Sequence, residues 1–335
     1  MNEAAKLPAP APGAGSDDSS ATGRRKAPGR LECDLGLLLG VAGLAASRLG
    51  QLWVAFDVFA QFTLQFLVVT VAFLVGRLMP RARLLVAFVL LAGGIVGIGL
   101  WPQLAPRLAA AAEPARDGER ILKVASFNSW YDSQTPDLVQ AEVARLDADV
   151  IALVELSPHG RPALLAALKS QYPYQATCFD KLYCNLAILS KTPIVASDAR
   201  VMWDGPPLIT ATLGPEAGGL IVYGIHTIRF PHSRAQFKQV NALAALVGST
   251  PGRKLVMGDF NATPFSRILT SFGGQTGLAR HTSLPSWPSR AGLPQVAIDH
   301  IFASPDLRVV EGETLGEPGG SDHYPVTLTL AVPTR

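Results

Sequence analysis

The run Leu84–Leu104 holds 21 residues without a charge, and nothing else in the chain limits its fold so sharply. In helical form it matches a bilayer's hydrocarbon core, which takes about 20 apolar residues. Leu84–Trp101 offers no polar face, so an amphipathic helix lying on a soluble domain is disfavoured. Two weaker runs precede it. Leu35–Ala46 extends to Leu49 if Arg48 snorkels, and Phe62–Gly76 is lengthened by Leu52–Ala60 with its lone Asp57. The expectation is a transmembrane anchor over 31–104 with about three spans, at 31–50, 57–79 and 84–104. A cleaved signal peptide fits the first run less well, because 30 mostly polar residues precede it and two more apolar runs follow.

Residues 1–30 are rich in Pro, Ala, Gly and Ser, with Arg24, Arg25, Lys26 and Arg30, and read as a disordered basic tail. Arg77, Arg81 and Arg83 lie between the second and third runs. Lys and Arg collect on the cytoplasmic side, so three spans place the tail and that loop inside and the chain after Trp101 outside. A two-span count would reverse this. The expected location is a multi-pass protein of the cell membrane with an extracytoplasmic C-terminal domain.

Overall composition hides this division. The chain is 48% hydrophobic and 16% charged, against about a quarter charged in ordinary soluble domains. Residues 1–115 hold 10 Lys+Arg and 7 Asp+Glu, whereas residues 116–335 hold 19 of each. The whole positive balance belongs to the anchor, which argues against a basic nucleic-acid-binding domain. Cys178 and Cys184, six residues apart, are a candidate disulfide, with two unrelated buried thiols as the alternative. Disulfides persist mainly outside the cytosol.

Residues 105–118 read as a linker and 119–333 as one domain. Apolar strands at Ile121–Asn128, Asp149–Glu155, Leu186–Ser190, Leu220–His226, Lys254–Gly258, Ala297–Ala303 and Pro325–Leu330 alternate with helices at Pro136–Leu146, Arg161–Lys169 and Ser233–Val247. This is α/β patterning. Polar groups close or interrupt those strands: Asn128, Glu155, His226, Asp259 with Asn261, Asp299, and Asp322-His323 before the last. Carboxylates, Asn and His gathered at one edge suit a hard, oxygen-ligated cation beside a phosphate. His300 is out of phase with Asp299 and reads as structural. His159, His232 and His281 read as exposed loop residues, and the Pro/Gly/Ser-rich stretch 273–293, with Trp287, as a substrate-facing loop.

Ser-Phe-Asn (126–128), Val-Glu (154–155), Leu-Ala-Ile-Leu-Ser (186–190), His-Thr (226–227), Gly-Asp-Phe-Asn (258–261), Asp-His-Ile (299–301) and Ser-Asp-His (321–323) occur in this order. Together they resemble the endonuclease/exonuclease/phosphatase superfamily with the DNase I-like fold, and the anchor resembles its bacterial membrane-bound members. The resemblance implies a four-layer sandwich of two mixed β-sheets flanked by helices. It also implies a Mg²⁺- or Mn²⁺-dependent phosphoesterase, of phosphodiesterase or nuclease type, acting by metal-assisted water attack. Glu155 would be the main metal ligand, supported by Asn128 and Asp322. Asp259 would orient or deprotonate the water. His226, Asn261 and His323 would bind phosphate, and Asp299 would fix His323. Where the family commonly has Gln before the metal-binding Glu, this chain has Val154. The implied substrate is a phosphate ester on nucleic acid or a lipid head group, with no protein partner implied. Lipid or inositol phosphatase or sphingomyelinase-like activity, and a catalytically silent binding domain, are the alternatives.

Overall fold

The computed structural model describes residues 29–108 and 114–334. The expected tail, except its last two residues, and residues 109–113 of the expected linker lie outside these. Helix α1 (Arg30–Leu49) runs alongside α3 (Thr63–Leu78), joined through a short turn and the single-turn helix α2 (Asp57–Ala60). Gly36, Gly40 and Gly43 make the close approach possible. A Cβ on each would enter the Phe73 ring, Thr70 and the Phe66 ring respectively. Small residues at helical spacing are what bring membrane helices together.

Helix α4 (Arg83–Leu108) packs on α3 and is long and apolar enough to cross a membrane. Val54–Ala60 with Thr63–Leu78 meets the same measure only as one span bent by 59° at its break. Helix α1 carries Arg30, Glu32, Asp34 and Arg48 among its 20 residues. Pro102 and Pro106 lie inside α4 and do not end it, against what their positions suggest. A proline's φ is compatible with a helix, and each ring removes one intrahelical bond, to the carbonyl four residues earlier.

The C-terminal region folds as β1 (Glu119–Asn128), α5 (Pro136–Leu146), β2 (Val150–Val154), α6 (Arg161–Ala167), β3 (Tyr174–Thr177), β4 (Ala187–Ser190), β5 (Ile194–Arg200) and β6 (Leu208–Leu213). It continues as β7 (Ile221–His226), α7 (Ser233–Ser249), β8 (Lys254–Asp259), α8 (Arg267–Thr276), β9 (Ala279–Arg280), β10 (Asp299–Ala303), β11 (Arg308–Leu315) and β12 (Val326–Pro333). One sheet has the order β11-β12-β1-β2-β4-β3 and the other β5-β6-β7-β8-β10-β9. Among the described residues only β1/β2 and β7/β8 pair in parallel, so both sheets are mixed. The stretch 273–293 is not one loop, since α8 and β9 take up part of it.

Strand alternation sorts the core into layers. Leu122, Val124, Ala152, Val154, Val222, Leu255, Met257 and Ile301 fill the space between the sheets. Ala125, Phe127, Ile151 and Leu153 point the other way, under α5 and α6. Tyr223, Ile225, Val256 and Phe302 lie with α7 and α8 residues such as Val240 and Phe272. The result is the four-layer sandwich of two mixed sheets between helices.

Candidate active site

The same alternation places the site. Residues facing the intersheet core continue in phase to the strand ends, where polar groups replace apolar ones. Asn128 follows Leu122 and Val124, Asp259 follows Leu255 and Met257, and Asp299 precedes Ile301. Register then aligns them, because His226 pairs with Asp259 across β7/β8 and Asp299 pairs with Asp259 across β10/β8. Three functional groups therefore stand in one row over three adjacent strands. Gly258 is required here: its φ is +152°, and a Cβ would strike the Ile225 carbonyl.

Asp259 is the hub. Its Oδ2 accepts from Asn128 Nδ2 at 3.0 Å and lies 3.9 Å from both His226 Nε2 and His323 Nε2. Its Oδ1 accepts from the Asn261 amide at 2.7 Å. Burial and the neighbouring Asp299 carboxylate push its carboxyl well above the usual range. Glu155 Oε1 sits 3.1 Å from His226 Nε2, and its Oε2 accepts from the Tyr131 amide at 3.2 Å. Burial pulls His226 down despite the Glu155 charge, favouring neutral imidazole. His323 Nδ1 lies 2.8 Å from Asp299 Oδ2. Burial opposes a charge on that ring, but Asp299, Asp259 and Asp322 outweigh it and raise its pKa to about 9. Asp322 Oδ1 is 4.0 Å from His323 Nε2, and its Oδ2 accepts from Trp287 Nε1.

Glu155, His226, Asp259, Asn261, Asp322 and His323 line one open cleft of about 700 Å³. Asn128 and Asp299 stand behind it, 1% exposed each. All eight residues singled out from sequence thus come together. Glu155 and Asn261 hold positive φ, 54° and 47°, a cost that surrounding structure must sustain and that clusters at functional sites. Val154 packs in the intersheet core, so Tyr131 and His226 brace Glu155 instead.

Further groups hold the site together, some of them (Thr227, Ser321, Trp287) within segments the sequence marks and others, such as Ser286 and Gln236, without a sequence signal. Ser286 Oγ donates to Asp299 Oδ2 at 2.7 Å. Thr227 Oγ1 and Gln236 Nε2 donate to the Phe260 carbonyl and fix the Gly-Asp-Phe-Asn turn. Ser321 Oγ donates to the Asn128 carbonyl and ties the Ser-Asp-His block to β1. Trp130, Tyr131 and Arg229 line the cleft with Trp287. His300 is fully buried on the opposite face, against Ala262 and Thr282. His159 and His232 are exposed, but His281 is not: its Nε2 is buried and without a partner among the described residues. Cys178 and Cys184 are joined in a disulfide. The loop they close carries Tyr183 to a side arm of the cleft beside Glu155 and His226.

The carboxylates suit a divalent cation by chemistry. Glu155, Asp259, Asp299 and Asp322 crowd one region, and Asp299 Oδ1 is buried without a partner among the described residues. Asp259, Asp299 and His323 have ligand atoms within 4.8 Å of one another. Asp299 and His323 already bind each other, however, which leaves the half-buried carboxylates of Glu155 and Asp322 better disposed to a hydrated ion.

Comparison with known proteins agrees with the fold. Two UPF0294 proteins of Vibrio vulnificus, from strains YJ016 and CMCP6, are each 32% identical over 120 residues. These are 34% of this chain and 40% of theirs, so the match spans about two fifths of the relatives' length. Sphingomyelinase C from Streptomyces griseocarneus superposes with a TM-score of 0.51 at 17% identity, over 63% of this chain and 99% of that one. Humanized D. rerio TDP2 gives 0.50 at 19% identity, over 63% and 98%. Members of the superfamily with this fold hydrolyse phosphoesters. Residues 125–323 match the model of the Endonuclease/Exonuclease/phosphatase family, and the chain belongs to that family.

Proposed function

We propose that the chain is a membrane-anchored, Mg²⁺- or Mn²⁺-dependent phosphoesterase, of phosphodiesterase type, with its catalytic domain extracytoplasmic. One observation carries the activity: the His226–Asp259–Asp299 row stands directly against Glu155 and His323, and all but Asp299 line a single cleft with Asp322. Glu155 and Asp322, supported by Asn128, would hold the cation, which supplies charge neutralisation when bound. The rest is done by side chains. Asp259, with its raised proton affinity, accepts a proton from the attacking water. Asn128 and the Asn261 amide keep its carboxylate oriented. His323, held charged by Asp299, donates to a phosphoryl oxygen. Neutral His226 hydrogen-bonds at the leaving oxygen, and Asn261 contacts the phosphate. Positioning and charge supply most of the acceleration in phosphoryl transfer.

The basic flanks of the helices and the Cys178–Cys184 bond support an outward-facing domain. Full-length protein in detergent, assayed with bis(p-nitrophenyl) phosphate and Mg²⁺ or Mn²⁺, should hydrolyse it and stop on chelation. Glu155→Gln and His323→Ala should each lower the rate by about 10²–10³-fold while the domain stays folded. Unchanged rates would refute the assignment and favour a silent binding domain.

A further inference from the structure

Residues of α2 and α3 grip the C-terminal domain directly. Asp57 is fully buried at the N-terminus of α8, accepting from the Arg267 amide at 2.7 Å and from Ser266 Oγ at 2.5 Å. Ser266 is that helix's N-cap. A carboxylate placed there satisfies an orphan N–H and faces the positive end of the helix dipole. Gln61 Oε1 accepts from the Thr263 amide at 2.7 Å, and Thr263 Oγ1 donates to the Ala60 carbonyl. Thr263 is two residues from Asn261.

Two further contacts reach the cleft walls. Phe62 meets Phe230 edge-on, with ring centroids 5.8 Å apart, and Phe230 lines the cleft. Gln65 Nε2 donates to the Gln295 carbonyl, and Gln295 Nε2 to the Ile95 carbonyl within α4. The neighbouring Val296 bridges to Trp287, another cleft wall.

Helix geometry gives the depth of these contacts. Ile95 lies twelve residues above Arg83, and Gln65 twelve above Arg77, about 18 Å along each axis at 1.5 Å per residue. A hydrocarbon layer beginning at those arginines is about 30 Å thick. The loop 293–296 therefore sits below its far boundary, not clear of the bilayer. Trp53 and Trp101, 60% and 46% exposed, stand near that boundary, where interfacial tryptophans collect.

We infer that the anchor is part of the substrate site: it holds the cleft mouth at outer head-group level, so that the phosphoester arrives on a bilayer lipid. This rests on the phosphoesterase reading above. It assigns Asp57 and Gln61 as positioning residues.

The test uses full-length protein in vesicles of phosphatidylcholine, phosphatidylethanolamine and phosphatidylglycerol with Mg²⁺. Head-group release is compared with hydrolysis of bis(p-nitrophenyl) phosphate and a single-stranded oligonucleotide. Lipid should be cleaved, and Asp57→Ala or Gln61→Ala should lower the ratio of lipid to soluble-diester kcat/KM at least tenfold. An equal fall on both substrates, or cleavage of the oligonucleotide and not of lipid, overturns the inference. Hydrolysis of none of the three refutes the phosphoesterase reading instead. A second measurement is independent of activity. Leu293→Cys, in the loop whose depth is assigned, labelled with bimane should lose at least half its fluorescence to lipids spin-labelled at the top of the acyl chain; no quenching overturns the assigned depth.

Discussion

His300 should make the protein acid-labile by a calculable amount. It is fully buried, with Nε2 2.8 Å from the Ala262 carbonyl and Nδ1 3.1 Å from Thr282 Oγ1. Burial, aided by Arg280, holds its pKa down at about 4 against an ordinary 6.5. The unfolded chain therefore takes up a proton that the folded one refuses. The contribution is complete above pH 6.5 and is lost as pH falls through that value toward 4. At about 1.4 kcal/mol per pH unit, the loss reaches about 2 kcal/mol by pH 5 and about 3 kcal/mol below pH 4. His300→Gln keeps a donor for Ala262 but cannot titrate. It should cost about 1–2 kcal/mol at pH 7.5 through imperfect packing, and should then lose about 2 kcal/mol less than the wild type on going to pH 5. Urea unfolding of full-length protein in detergent, followed by tryptophan fluorescence at both pH values, measures that difference. A variant that loses stability as steeply as the wild type would refute the reasoning.

Glu313 carries the opposite sign. Burial raises its carboxyl to about 7 although the Ser283 and Leu284 amides donate to it. The stability it contributes is present below pH 4.5 and lost as pH rises through 7, so Glu313→Gln should gain on the wild type between pH 5 and 8 in the same assay. Removing the Cys178–Cys184 bond by a double Ser substitution should cost about 2 kcal/mol, since the closed loop is short. It should also raise KM, because that loop holds Tyr183 at the cleft, and a thermal melt with and without reductant checks the first part.

The candidate site was legible because its polar groups close hydrophobic strands or sit just beyond their ends, where apolar residues would serve a core better. What was missed lacked such contrast. β5 and β11 are edge strands with mostly exposed or half-buried residues, so no inward stripe marks them. Helix α8 contains Gly273 and Gly274, poor helix formers, and its N-terminus is completed by Asp57, 210 residues away in sequence. Tertiary partners of that kind cannot be read from local pattern. Trp130, Tyr131 and Ser286 likewise matter only through where the fold brings them.

The stripe Gly36, Gly40, Gly43 was visible in the sequence but reads only as apolar until the partner helix is known. Its spacing puts three residues without side chains on one face of α1, toward Phe66, Thr70 and Phe73 of α3. In the membrane setting proposed above, hydrophobicity does not drive association between helices, so close backbone approach must do so. Gly40→Leu should therefore part α1 from α3, because its side chain would have to occupy space held by Thr70, including backbone that cannot yield. Overpacking of this kind costs about 1–3 kcal/mol. Since α3 also carries Phe62 and Gln65 against the cleft walls, the damage should not stay in the anchor. Amide hydrogen exchange over 261–267 and 287–296 should rise in the variant. Wild-type protection in those segments would show that α1 supports the anchor without transmitting anything to the site.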